Sequence, residues 1–238
     1  MSEWWTYTLS DFLLFSPRTY YRLFEIFNAA IWPAQVATTA LGLAILLLVR
    51  RGTAVRARAV AAILAVLWLF VAIAFHAHRY ATINTAGLYF AWAFGLEAAL
   101  LIWKGVVRSG LSFEPPAGAA GRAGLGIFLF ALAVGPFFGP LLGRGWRGVE
   151  IFGAAPDPTA IATLGLLLLA RVRHRWLLMV IPVLWCLTTG IFLLAMRAAD
   201  AWVAPGASLA AVTLATWQAR MARRAGNPSR NSPSSKGA

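Results

Sequence analysis

A single cysteine, Cys186, excludes an intramolecular disulfide and leaves no cysteine-based metal site. Charge is also scarce: charged residues make up 12% of the 238-residue chain, against about 25% in an ordinary soluble domain. Acidic residues are scarcest, eight against 21 Lys and Arg. No Ser-His-Asp, paired-carboxylate or zinc spacing occurs, so no catalytic residue, metal or cofactor is expected and the chain does not read as an enzyme. No internal repeat appears, which removes the symmetry argument for an inverted-repeat transporter. The opening MSEWWTYTLSDF lacks a positive n-region and a small-residue cleavage site, so the first apolar run is expected to stay in the mature protein.

Hydrophobic residues are abundant, at 60% of the chain. They gather in seven stretches at roughly 30–49, 57–77, 81–103, 123–142, 151–170, 176–196 and 201–219, each near the 20 or so residues that cross a bilayer core. The fold expected is all-α: a polytopic transmembrane helix bundle of about seven spans, with the lipid bilayer as its first partner. The net charge of +13 does not indicate nucleic acid, because the basic residues sit in short clusters between apolar runs and form no water-facing stripe. Fifteen Lys and Arg follow the odd-numbered stretches, and six precede the first stretch or follow the even-numbered ones. Retention of basic loops on the cytoplasmic side then places the N-terminus outside and the C-terminus inside.

The ends differ from the body, which divides the chain into an N-terminal interfacial segment (1–29), the bundle (30–219) and a disordered cytoplasmic tail (220–238) rich in Gly, Pro and Ser. Ser16-Pro17 reads as the start of a helix. Tyr20, Leu23, Phe24 and Phe27 share one face of it, opposite Arg18, Arg22 and Glu25. Such a helix is amphipathic and interfacial, either anchoring the first span at headgroup level or lying as a lid over an outward-facing cavity.

Polar residues within the apolar runs are the candidate functional groups. In Pro156-Asp157-Pro158-Thr159, Asp157 is a favoured N-cap and Pro158 a favoured first residue, so the fifth helix is expected to begin at Pro158. From there to Ala170 it falls short of the hydrocarbon thickness, which requires the preceding EIFGAAP to be buried in protein or to face a cavity. Gly135-Pro136 and Gly139-Pro140 suggest a second broken helix end nearby. With His76 at the end of the second span and Asn84 opening the third across a short turn, the expected polar pocket comprises His76, Asn84, Asp157 and Thr159. The imidazole is expected to hydrogen-bond across helices, to Asn84 or to the broken fourth and fifth spans. Glu97 is the one acid well inside a span, and Thr163, Trp185 and Thr213 match its depth as an intramembrane network.

The segments FHAHRYATINTAGLYFAWAFGLEAALLIWKGVVRSGLSF, GAAPDPTAIATLGLLLLA and IPVLW, with FNAAIWPAQ before them, resemble the bacterial membrane proteins grouped as domain-of-unknown-function family 6064. The resemblance runs from about Asn28 to Asp200 and rests on Asn28, Trp32, Pro33, His76, Asn84, Pro156, Pro158, Thr159, Thr163, Gly165, Pro182 and Trp185. Where this chain has Asp157, the family more often has Cys between the prolines, so no thiol or soft-metal role carries over. The resemblance implies a bacterial cytoplasmic (inner) membrane protein and brings no activity with it. Two functions fit: a small permease or channel with an outward-facing pocket at broken helices, or a non-catalytic accessory or scaffold subunit with a membrane-protein partner or a second copy of itself.

Overall fold

The computed structural model describes residues 14–50, 52–113, 118–172 and 174–225; the expectations for 1–13 and 226–238 lie outside them. Helix α1 (Pro17–Ala30) begins as its sequence dictates: the Ser16 hydroxyl accepts the Thr19 N–H at 3.2 Å, and Pro17 occupies the first turn, where no amide is needed. Tyr20, Leu23, Phe24 and Phe27 are buried, but against protein. Phe24 and Phe27 lie 5.1 and 5.2 Å from the Phe75 ring, and Tyr20 meets Tyr80 edge-on at 6.5 Å. The apolar face is therefore spent on the bundle and not on headgroups, and α1 is a cap. Helix α2 (Ala34–Val49) leaves it at 88°.

The remaining helices are α3 (Ala54–Phe70), α4 (Gly87–Leu101), α5 (Gly118–Leu129), α6 (Gly135–Leu141), α7 (Pro156–Leu169), α8 (Arg175–Ala195) and α9 (Val203–Ala225). The third and fourth continue as wide π-helical turns over Val71–Ala77 and Ile102–Val107. Among the described residues, four helical segments are long and apolar enough to cross a membrane: Ala54–Thr82, Gly87–Val107, Gly118–Leu141 and Arg175–Ala195. The bent pair α1–α2 raises the number to five. Length and composition thus support four or five of the expected seven, because α7 has only 14 residues and Ser208, Thr213, Thr216 and Gln218 dilute the apolar content of α9. Helix α9 also runs to Ala225, so residues 220–225, expected in the tail, are helical, with Arg223 and Arg224 in a last turn whose carbonyl dipoles favour cations.

The fourth span is not broken as its prolines suggest. Phe130–Val134 widens into π-helical turns, and Pro136 then falls in the first turn of α6, so Gly118 to Leu141 forms one continuous span. Helix α7 runs through the middle of the bundle, packed on α5, α8 and α9, and every residue from Pro158 to Leu169 is buried. Its closest approach is to α5. A Cβ on Gly165 would lie 2.6 Å from the Gly124 carbonyl oxygen, and one on Gly124 would lie 2.7 Å from that of Gly165. A helix apolar on all sides belongs in such a place, and 14 residues, about 21 Å, suffice because both ends meet protein. At its C-terminal end the Leu168 carbonyl accepts from Gln218 at 3.3 Å and the Ala170 carbonyl from Arg175 at 2.8 Å. There β2 (Ala170–Val172) pairs antiparallel with β1 (Leu111–Phe113). At the other end the turn before α7 is buried, with Phe152 fully enclosed.

These contacts sort the loops to two ends. The hairpin end gathers β1, β2, Arg175 and Gln218. The cap end gathers α1, the 144–157 loop and Asp200, through the Arg144–Asp200 ion pair and through Asn28, whose amide donates to the carbonyls of Arg147 (2.9 Å) and Val149 (2.8 Å).

Candidate functional site

At the cap end, a cavity of about 60 Å³ opens between α1, α6, the N-terminus of α7 and the α8–α9 turn. That is room for a few waters or one small ligand. Its polar wall is Tyr21, Arg144, Glu150, Asp157 and Asp200. Arg144 is ion-paired with Asp200, both side chains being largely buried, and its guanidinium stacks over the Tyr21 ring at 4.7 Å from the centroid. One cation thus faces three carboxyl groups. Glu150 stands in the loop ahead of α7, and its carboxyl is pushed well above the ordinary range, first by burial and then by the negative charge of Asp157.

Asp157 does not cap its helix. Helix α7 begins at Pro156 with Ala155 in the N-cap position, and no side chain caps it. The reason lies in the two prolines. Of the amides that a helix start leaves without an intrahelical partner, those of Pro156 and Pro158 do not exist, and that of Ala155 donates to the Ile151 carbonyl at 2.8 Å. Only the Asp157 amide is left, so a buried helix can start here without a capping side chain. The carboxylate is free to reach α8, where it accepts from Trp185 Nε1 at 2.7 Å and from Thr189 Oγ1 at 3.0 Å.

The expected pocket is brought together only in part. Asp157 lines the cavity. His76 is fully buried behind it, its ring 4.8 Å from that of Trp185 and 4.4 Å from that of Phe94, with neither ring nitrogen hydrogen-bonded. The expected bond from His76 to Asn84 is absent, because Asn84 turns back on its own loop: it donates to Tyr80 Oη at 3.4 Å and accepts from the Ala86 amide at 2.9 Å. Thr159 also faces elsewhere. Its hydroxyl donates to the Ala155 carbonyl (2.6 Å) and accepts from the Gly153 amide (2.9 Å), tying down a turn in which Gly153 has φ of +76°.

The network around Glu97 is not formed as a unit. Glu97 is fully buried, and neither carboxyl oxygen has a partner. The Thr163 hydroxyl instead accepts from Trp68 Nε1 at 2.9 Å and donates to the Thr159 carbonyl at 2.8 Å, while Trp185 serves Asp157. Thr213 is exposed on α9. Equal depth on different helices says nothing about which way each side chain points.

Among the described residues, no three His, Cys, Asp or Glu side chains converge so as to hold a metal ion. Tyr21, Arg144, Glu150 and Asp200 were not singled out in the sequence. The available signal was an Arg and an Asp at the membrane-proximal ends of separate apolar runs on the same side, a placement that permits an ion pair.

Residues 18–226 match the model of a family of unknown function, DUF6064. The match covers most of the chain, which belongs to that family. Neither the curated proteins nor the solved structures compared with the chain contain a match.

Proposed function

For a member of DUF6064, a family that carries no assigned chemistry, we propose a small permease or channel of the bacterial cytoplasmic membrane that takes a small cation into the cap-end cavity. In this reading α2 to α9 make seven crossings, α5 and α6 counting as one, with the cap end outside and the hairpin end in the cytoplasm. The observation that carries it is the cavity wall: the Arg144 charge is already matched by Asp200, which leaves Glu150 and Asp157 in excess. Carboxyl groups in such a setting favour a positively charged occupant. Because the acids do not converge on a coordination geometry, a hydrated or organic cation suits the wall better than a bare metal ion.

The test is flux into proteoliposomes of the full chain, with methylammonium and sodium as probes. Uptake above that of empty liposomes is expected, with a marked loss in Glu150→Gln and in Asp157→Asn. Uptake equal to empty liposomes for both probes would sink the permease. The alternative is an accessory or scaffold subunit of a membrane complex. What favours it is the packing inward of Asp157, where the rings of Phe90, Phe94 and Trp185 close around His76.

A further inference from the structure

Among the described residues, His76 and Glu97 are buried ionisable side chains with no hydrogen-bond partner for any side-chain N or O atom. His76 is borne on π-helical turns, a departure from α-geometry that recurs at functional sites. Its ring lies 4.4 Å from that of Phe94. Glu97 follows Phe94 by three residues and so occupies the same face of α4, one turn nearer the hairpin end. All four polar atoms, both imidazole nitrogens and both carboxyl oxygens, are buried and unbonded. A buried polar group left without a partner costs about 1–3 kcal/mol, more when charged, and buried polar groups without a partner are rare in native structures. Packing alone would be served better by Leu or Phe at either position. Toward the cavity the sequence of contacts continues: the His76 ring meets that of Trp185 at 4.8 Å, and the Trp185 N–H is held by Asp157.

We propose that Glu97 is an internal proton-binding site that exchanges with the cap-end cavity by way of His76 and Asp157. In the outward direction the Glu97 carboxyl gives its proton to an imidazole nitrogen of His76, leaving carboxylate and imidazolium. The imidazolium then gives a proton to the Asp157 carboxylate, which restores neutral imidazole and passes the proton to water in the cavity. Water admitted from the cavity carries the proton across each gap, and the return path reverses every step. Among the described residues, the other buried titratable side chains on the elements packed here are Tyr20, Tyr80 and Cys186; Arg144, Glu150 and Asp200 lie on the cavity side of Asp157, and Lys104 follows α4 toward the hairpin end. The proposal stands apart from the cavity's occupant.

The experiment is infrared difference spectroscopy of the full chain in nanodiscs during transfer from H₂O to D₂O. A protonated-carboxyl band is expected that vanishes in Glu97→Gln. Its shift on deuteration should slow by an order of magnitude or more in His76→Gln and His76→Phe, while the band position stays the same. Absence of the band, or deuteration at the wild-type rate in both His76 variants, overturns the proposal. Should the His76 variants fail to fold, Phe94→Leu opens the gap and must speed deuteration; an unchanged rate is equally fatal. Loss of cation uptake in Glu150→Gln with exchange intact would count against the transport reading and leave the proton site standing.

Discussion

Glu150 and Asp157 are seven residues apart and line one cavity, yet their partners differ. Asp157 is held by two donors from α8, whereas Glu150 faces the cavity under the influence of burial and of its neighbour's charge. A carboxyl whose folded pKa lies above its unfolded value binds its proton more tightly in the folded state. Its contribution to stability is complete below the unfolded value, about 4.3 for Glu, and is lost as pH rises through the folded one. Wild-type protein in detergent should therefore lose thermal stability as pH climbs out of the ordinary carboxylate range, and Glu150→Gln should flatten that slope. Melting curves across the pH series decide it; a Gln variant with the wild-type slope would assign the dependence elsewhere. The role of Asp157 was not legible locally, because N-cap preference is a statement about neighbouring residues, while its partners come 28 and 32 positions later.

Among the elements, α1 was the most legible: its Ser-Pro start and its i, i+3, i+4, i+7 face can be read in a dozen letters, and each residue is placed as they indicate. The face's partner was not legible, since an amphipathic stripe specifies an apolar surface without saying whether lipid or protein supplies it. The central place of α7 was equally hidden, although its length was readable. The Gly124–Gly165 contact makes that place specific, because backbone meets backbone there with no room for a side chain. Gly165→Ala should force α5 and α7 apart at a cost of roughly 1–3 kcal/mol, typical of overpacking. Gly126→Ala, on the exposed side of α5 with nothing within 4 Å, should be neutral or slightly stabilising. Paired thermal melts test this, and equal destabilisation by both would remove the crossing as the cause.

For the whole molecule, charge asymmetry and structure agree on how the loops are grouped: segments that pair at the hairpin end are flanked by the larger share of Lys and Arg, and the acids of the cavity gather at the cap end. A reporter active only in the cytoplasm should therefore be active when fused after Arg58, Arg122 or Arg175 and silent after Arg79 or Arg147. Activity after Arg147 would remove a crossing from the count. If the apolar helices span a membrane as proposed, the enclosure of α7 has a consequence for how the protein responds to the lipid. The helices on the perimeter must match their apolar length to the lipid around them by tilting or by deforming the bilayer. Helix α7 touches protein on every side, so hydrophobic mismatch reaches it only second-hand. Thicker or thinner acyl chains should reorient the outer helices while the depth of Asp157 below the cap stays constant, making the cavity a fixture of the protein whose geometry is insulated from the lipid that surrounds it.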